Sequence, residues 1–246
     1  MAAATLLANA LADAVRERGR ADWATTGGST PIPIYRRLAM PPLRDLVPWD
    51  RVHVWWGDDR LVAWDHQLSN CLPFDEVLLG SGVPLPLENV HRMPMQIAFG
   101  ARTPGGAERT AAAYEAELRA APLAHDAAGV PILDVTLVGV GPDGHVFSVF
   151  PGSPLLDSTA WVAVVPAPEH VEPRVGRISL NLRFLEAARL PIVVVLGSAK
   201  AGIVAELFGR QRDVRRWPAQ AARRAGSAWF LDQAAAAELP GGILGS

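Results

Sequence analysis

The chain has 246 residues, half of them hydrophobic and 20% charged, which is enough to bury a globular core. Its formal net charge is −2 and its basic clusters are short, so a nucleic-acid partner is not expected. A single cysteine excludes a disulfide framework within the chain, and the 6 scattered histidines show no metal-ligand spacing, so no metal site is expected.

The first predicted element is a helix over residues 2–18, where Leu7, Leu11 and Val15 recur at four-residue spacing. This segment lacks the basic start and the cleavage site of a signal peptide. No apolar run reaches the ~18 residues that are needed to cross a bilayer. These features predict a soluble, cytoplasmic protein without a membrane partner.

The remaining elements alternate between short β-branched or aromatic runs and helical patterns. This alternation predicts an α/β fold with a doubly wound, mainly parallel sheet and helices on both faces. The segments 80–104 and 209–227 are rich in Pro, Gly and Arg but do not resemble linkers, so we expect one domain over residues 1–246. The predicted strands are 22–26, 52–56, 133–140, 161–165, 177–181 and 191–197, and the later predicted helices are 31–39, 70–79, 105–120, 182–188, 198–208 and 231–238.

The loop after the first predicted strand reads TTGGSTPIPIY, residues 25–35. Its glycines allow a ligand to approach the backbone closely, and exposed amides beside the hydroxyls of Ser29 and Thr30 suit a phosphate group. The loop is not a Walker motif, because it has no Gly-Lys-Ser/Thr. The alternative is an ordinary turn with a Ser or Thr cap.

The strand over residues 52–56 is followed by Asp58, Asp59 and Arg60. Charged neighbours of this kind are often only a solvated loop. Ligands of open α/β sheets, however, bind beyond the carboxyl ends of the strands, which favours a site role here.

The stretch GVGPDGHVFSVF, residues 139–150, contains the Gly-x-Gly-x-x-Gly spacing of a dinucleotide-binding loop. Asp143 opposes that interpretation, because its carboxylate would stand where a pyrophosphate should bind. A suitably placed acid for the ribose is also missing about 20 residues further on. The loop then presents Asp143 and His145 together, either as a base and its orienting acid or as a helix cap beside a structural histidine.

Two cations follow later strands. Arg177 begins the strand over 177–181, and Lys200 follows the strand over 191–197 through a Gly-Ser turn. Either is able to bind a phosphate group, although such residues are more often only solvated. Lys200 is the more notable because it is the single lysine among 23 basic residues.

Together these loops resemble the 6-phosphogluconolactonase family. The matching stretches run in order along nearly the whole chain: TGGSTP at 26–31, DDR at 58–60, SN at 69–70, GVGPDGHVFSVFPG at 139–152, RIS at 177–179 and GSAKA at 197–201. GPDGHxxSxFPG is the most specific of them. Asp59 departs from the pattern, because the family usually has a glutamate there.

The resemblance implies the fold shared by ribose-5-phosphate isomerase and glucosamine-6-phosphate deaminase. It implies hydrolysis of 6-phospho-D-glucono-1,5-lactone to 6-phosphogluconate in the oxidative pentose phosphate pathway, with no cofactor. His145 would be the general base, with Asp143 orienting it and Arg60 stabilising charge on the carbonyl oxygen. The phosphate would lie against Gly28, Ser29, Thr30, Arg177 and Lys200, and Asp58 and Asn70 are possible further substrate contacts. We expect a monomer or a small homo-oligomer.

Two alternatives of other classes remain. Glucosamine-6-phosphate deaminases resemble GHIAFNEP in the third loop, where a glutamate supports the histidine that opens the sugar ring. The matching stretch here is GHVFSVFPG, which has no acid at that place. A non-catalytic sugar-phosphate sensor is the second alternative, and binding without turnover would favour it.

Overall fold

The computed structural model describes residues 2–100 and 104–239. Residues 101–103 of the predicted segment 80–104, and both ends of the predicted domain 1–246, lie outside the described residues. The helices in the described part are α1 (Ala2–Arg18), α2 (Ile32–Leu38), α3 (Leu43–Leu46), α4 (Cys71–Val77), α5 (Gln96–Gly100), α6 (Gly106–Ala120), α7 (Arg183–Ala187) and α8 (Ala201–Gly209). The strands are β1 (Ala21–Thr25), β2 (Val52–Trp56), β3 (Asp58–Arg60), β4 (Val90–His91), β5 (Ala124–His125), β6 (Pro131–Ile132), β7 (Val135–Val138), β8 (Val162–Val165), β9 (Arg177–Leu180), β10 (Leu190–Val195) and β11 (Ala228–Leu231).

A six-stranded sheet forms the centre of the fold, in the order β11-β10-β7-β1-β2-β4. All of its strand pairs are parallel. The chain runs from β1 through β2 to β4 at one edge, returns to β7 on the other side of β1, and continues through β10 to β11 at the other edge. This reversal of strand order between β1 and β7 confirms the predicted doubly wound sheet.

Helices cover both faces of the large sheet because its strands are apolar on both sides. Consecutive residues of a strand point to opposite faces. The ring of Trp56 lies 5.2 Å from that of Phe74 in α4, whereas the ring of Trp55 lies 6.1 Å from that of Tyr114 in α6. All four side chains are buried, and each such burial contributes about 1.5–3 kcal/mol.

Helix α1 confirms its predicted bounds and its apolar face. It contacts β1, β7 and β10. Leu7 and Leu11 are fully buried there, and Val15 is partly buried against the core. In the described residues, no helix is both long and apolar enough to cross a membrane.

A smaller antiparallel sheet, in the order β3-β9-β8, continues directly from the large one. Gly57 separates β2 from β3, and its carbonyl accepts a hydrogen bond from the amide of Leu180 (2.8 Å). Residues 58–60 were expected to form a loop, and this prediction is wrong. They form a strand because β9 supplies backbone partners for them, which sets Arg60 opposite Arg177.

The end of the described chain also differs from the prediction. A helix was expected over residues 231–238, but Leu231 ends strand β11 and residues 233–238 form turns. The Asp232 carboxylate accepts hydrogen bonds from the amides of Gly197 and Ala235. These tertiary contacts outweigh the helix propensity of the alanine run. Elements α3, β4, α5, β5, β6 and β11 were not predicted because they are too short to give a periodic signal.

Candidate active site

Two loops meet where the strand order of the large sheet reverses. One follows β1 and carries residues 26–31, and the other follows β7 and carries residues 139–145. They approach closely, since a Cβ atom at Gly139 would lie 3.6 Å from Thr30 Oγ1. Ligands of open α/β sheets bind at such a reversal, beyond the carboxyl ends of the strands.

A cleft of about 400 Å³ opens at this point, a volume typical of small-molecule sites. All predicted site residues except Asp143 line it: Gly28, Ser29, Thr30, Asp58, Arg60, Asn70, His145, Arg177 and Lys200. Asp143 contacts the cleft-lining His145. The structure therefore brings the whole predicted set together, and the roles of its members stay predictions. Within the described residues, no three His, Cys, Asp or Glu side chains converge to hold a metal ion.

His145 and Asp143 form a hydrogen-bonded pair. The distance from His145 Nδ1 to Asp143 Oδ1 is 2.6 Å, and the backbone amide of His145 also donates to Oδ1 (3.2 Å). An ionised carboxylate only accepts hydrogen bonds, so Nδ1 of His145 carries the proton. In a neutral imidazole this leaves the lone pair on Nε2, which makes Nε2 the basic atom.

The second oxygen of Asp143 contacts another histidine. His170 Nε2 lies 2.9 Å from Asp143 Oδ2. Burial disfavours the ionised form of Asp143, but the hydrogen bonds from His145 and His170 outweigh it and hold the pKa of the carboxyl well below its usual range. Asp143 is therefore ionised at neutral pH.

Gly141 is required for the position of the imidazole. A Cβ atom at this residue would lie 2.0 Å from Nδ1 of His145, far inside contact distance. The amide of Gly141 also donates to the carbonyl of His145 (2.9 Å), which closes the loop. Gly141, which belongs to the stretch that resembles a dinucleotide motif, thus allows the His145 side chain to pack against the loop backbone.

Three cations reach the cleft without a carboxylate partner among the described residues: Arg60, Arg177 and Lys200. Arg60 Nη1 donates to the carbonyl of Leu68 (2.8 Å), and Lys200 Nζ donates to that of Val140 (2.7 Å). Burial lowers the pKa of the Lys200 ammonium. Unpaired cations converging on one cleft favour an anionic ligand.

Arg177 is the most buried of the three, with 2% of its surface exposed. Its Nη2 donates to the carbonyl of Pro173 (3.1 Å), and its guanidinium lies 5.3 Å from the ring centre of Phe150. Burial lowers its pKa, and the nearby charge of Asp58 opposes that shift. A guanidinium has five N–H donors, and Arg60 and Arg177 each use one Nη in a side-chain hydrogen bond to the described residues, so both retain donors for a ligand.

Asp58 and Asp59 have different surroundings although they are adjacent. Asp58 lines the cleft and accepts hydrogen bonds from Ser148 Oγ (2.6 Å) and Asn70 Nδ2 (3.2 Å). Asp59 is fully buried, accepts from the backbone amides of Arg60 and Asn70 (2.8 and 2.7 Å), and does not line the cleft. Burial raises the pKa of Asp59 to about 6, against the lowering effect of those amides. Asp59 thus joins the two ends of the loop that carries Arg60 and Asn70.

Residues at or beside the cleft that were not predicted from the sequence include Phe147, His170, Val171 and Glu172. Phe147 has a φ of 52°, which few non-glycine residues adopt, and packs where a side chain at Gly57 would otherwise lie. His170 and Val171 belong to the Pro-rich segment 166–176 between β8 and β9. No periodicity or motif marks His170 and Val171, because only the fold places their segment against the loop after β7.

Comparisons with known proteins agree on one family. The model of the family described as glucosamine-6-phosphate isomerases/6-phosphogluconolactonase matches residues 1–230. A 6-phosphogluconolactonase from Streptomyces coelicolor is 37% identical over 239 residues, which covers 97% of this chain and 90% of the relative. One from Mycobacterium tuberculosis is 36% identical over 241 residues, covering 97% and 93%.

Solved structures extend the likeness to the fold. The 6-phosphogluconolactonase from Trypanosoma brucei has a TM-score of 0.83 at 28% identity, covering 97% of this chain and 94% of that one. A monomeric glucosamine-6-phosphate deaminase has a TM-score of 0.76 at 16% identity, covering 96% and 95%. At that identity the second likeness concerns the fold alone.

Proposed function

The chain belongs to the glucosamine-6-phosphate isomerase/6-phosphogluconolactonase family, and from this we propose that it hydrolyses 6-phospho-D-glucono-1,5-lactone to 6-phosphogluconate with His145 as the general base. The observation that carries the base assignment is the pair of His145 and Asp143 at the edge of a cleft rich in unpaired cations. The proposed enzyme is a single lactonase domain that acts in the oxidative pentose phosphate pathway. It is cytoplasmic and forms a monomer or a small homo-oligomer.

The reaction needs one water molecule and one basic atom. Nε2 of His145 removes a proton from water while the water oxygen attacks the lactone carbonyl carbon. The Asp143 carboxylate stabilises the imidazolium that forms, since it already holds Nδ1. Arg60 stabilises the negative charge on the carbonyl oxygen. The bond between the carbonyl carbon and the ring oxygen then breaks, and the imidazolium returns its proton to that oxygen.

The phosphate group of the substrate binds to cleft-lining residues other than His145 and Arg60. The amides and hydroxyls of Gly28, Ser29 and Thr30 surround it, and Arg177 and Lys200 supply positive charge. Charged hydrogen bonds of this kind are worth about 1.5–3 kcal/mol each. The phosphate is present in both the lactone and the product, so the same cations hold it at both stages of the reaction. The product also carries a carboxylate.

The deaminase alternative is disfavoured by the residue beside the base. Phe150 occupies the place that corresponds to the deaminase glutamate in the stretch GHVFSVFPG. Its ring centre lies 4.6 Å from that of His145, so an apolar ring and not an acid contacts the imidazole. A phenylalanine has no proton to exchange with a sugar ring.

The experiment that tests the function separates the three candidates. A limiting amount of glucose 6-phosphate is first oxidised to the lactone by its dehydrogenase, and excess 6-phosphogluconate dehydrogenase then reports the opening of the lactone. The rate of spontaneous opening is subtracted, and ammonia release from glucosamine 6-phosphate is followed in parallel. Acceleration of the first reaction alone supports the lactonase. Ammonia release would identify a deaminase, and binding of 6-phosphogluconate without either reaction would identify a sensor.

Gly141→Ala should lower kcat by about 10²-fold with little change in KM, because the new methyl group displaces the His145 imidazole. The lactone assay measures both constants. Gly202→Ala is the matched control: it makes the same change in α8, where a Cβ atom has only the Glu238 carboxylate nearby, at 3.8 Å. Equal activities of the two variants would show that the imidazole position does not depend on Gly141.

A further inference from the structure

The Asp143 carboxylate is held at both of its oxygens by imidazoles from different parts of the chain. His145 lies two residues away, and His170 comes from the segment between β8 and β9. The mechanism above uses His145 but gives His170 no role. The side chain of His170 is 57% exposed, so burial of its own ring does not account for its place there.

The contacts around His170 point toward the base and not toward the substrate. His170 does not line the cleft, whereas its neighbour Val171 does. The ring of Phe150 contacts both imidazoles, with its centre 4.6 Å from that of His145 and 5.7 Å from that of His170. Arg177 and Lys200 also interact with the charge of Asp143 through space, and within the described residues neither donates a hydrogen bond to it.

We propose that His170 is a positioning residue for the hydrolysis: its Nε2–H group fixes Oδ2 of Asp143, so that Oδ1 stays directed at Nδ1 of His145. A carboxylate bound at one oxygen turns about its Cβ–Cγ bond, and a carboxylate bound at both does not. His170 therefore acts on the reaction only through Asp143. This inference rests on the proposed function, because it concerns the same base.

His170→Ala should lower kcat for lactone hydrolysis by about 10-fold, the lower end for a lost hydrogen bond to a charged group, with KM within about two-fold. His170→Gln should retain most of the kcat, since its side-chain amide also donates a hydrogen bond. His125→Ala is the control, because His125 is an exposed histidine in β5 and does not line the cleft. A kcat for His170→Gln as low as that for His170→Ala would overturn the proposal.

A double-mutant cycle separates this role from a general effect on the loop. If His170 acts through Asp143, then adding His170→Ala to Asp143→Ala should change kcat by less than about two-fold. The same 10-fold loss in both backgrounds would overturn the proposal, because His170 would then act independently of Asp143. An unchanged kcat for His170→Ala alone would overturn it as well. Absence of turnover in the unmodified protein would instead refute the proposed function, so the two failures are distinct.

Discussion

Replacing His145 with alanine should lower kcat for lactone hydrolysis by about 10²–10⁴-fold, the usual contribution of a well-placed general base. KM should change little, because the cations and the loop after β1, which we propose bind the phosphate, are untouched. The coupled assay at high enzyme concentration measures the residual rate above spontaneous hydrolysis. Binding of 6-phosphogluconate by calorimetry checks that the cleft still recognises its anion.

The His145→Ala variant should remain folded, so that a loss of activity reports the loss of the base. His145 is a partly exposed side chain whose ring contacts Phe150 and whose Nδ1 contacts Asp143, so its removal leaves no large cavity in the core. The variant should therefore melt within a few degrees of the unmodified protein. Near-normal turnover in a folded His145→Ala variant would remove the base assignment and leave the family membership intact.

Replacing Lys200 with methionine should raise KM for the phosphorylated lactone by about 10- to 100-fold and leave kcat nearly unchanged. Methionine keeps an unbranched apolar stem of similar length but removes the charge and the donors. Lys200 makes one hydrogen bond within the described residues, to the carbonyl of Val140, so its ammonium retains donors for a phosphate. The effect on KM follows from the loss of this cation.

The unphosphorylated substrate gives the decisive comparison for Lys200. Glucono-1,5-lactone has the same reacting carbonyl and lacks the phosphate. If Lys200 binds the phosphate, Lys200→Met should leave kcat/KM for glucono-1,5-lactone unchanged while it lowers kcat/KM for the phosphorylated lactone. Equal losses for both substrates would assign Lys200 to the reacting end of the cleft instead.

Much of the large sheet could be predicted because its strands have strong local signals. The run VHVWW forms β2 with the predicted bounds, the nearly all-apolar run over 133–140 contains β7, and the run over 191–197 overlaps all but the first residue of β10. Once these strands are parallel, their carboxyl ends share one edge of the sheet, and the loops that follow them must converge. The strand ends therefore predict that Gly28, Ser29, Thr30 and His145 lie close together, and all four line the cleft.

The remaining features depend on contacts between distant segments. Asp58–Arg60 became a strand because β9 pairs with it, and Leu231 ended a strand because β11 pairs with β10. His170 lies beside Asp143 only because the segment between β8 and β9 returns to the loop after β7. The strained φ of Phe147 is likewise imposed from outside its own sequence. Patterns of neighbouring residues do not carry such information.

The strand order of the large sheet also governs when the cleft comes into existence during folding. Strand β1 pairs with β2, which follows soon in the chain, but also with β7, where Trp23 meets Val135 across a long separation. Closing such loops costs chain entropy before any contact repays it, so non-local pairing slows folding. A chain that has formed α1, β1, β2 and the helices between them has a hydrophobic surface but no cleft. We therefore expect catalytic activity to return on refolding only after β1 has paired with β7, and helix content to return no later than activity.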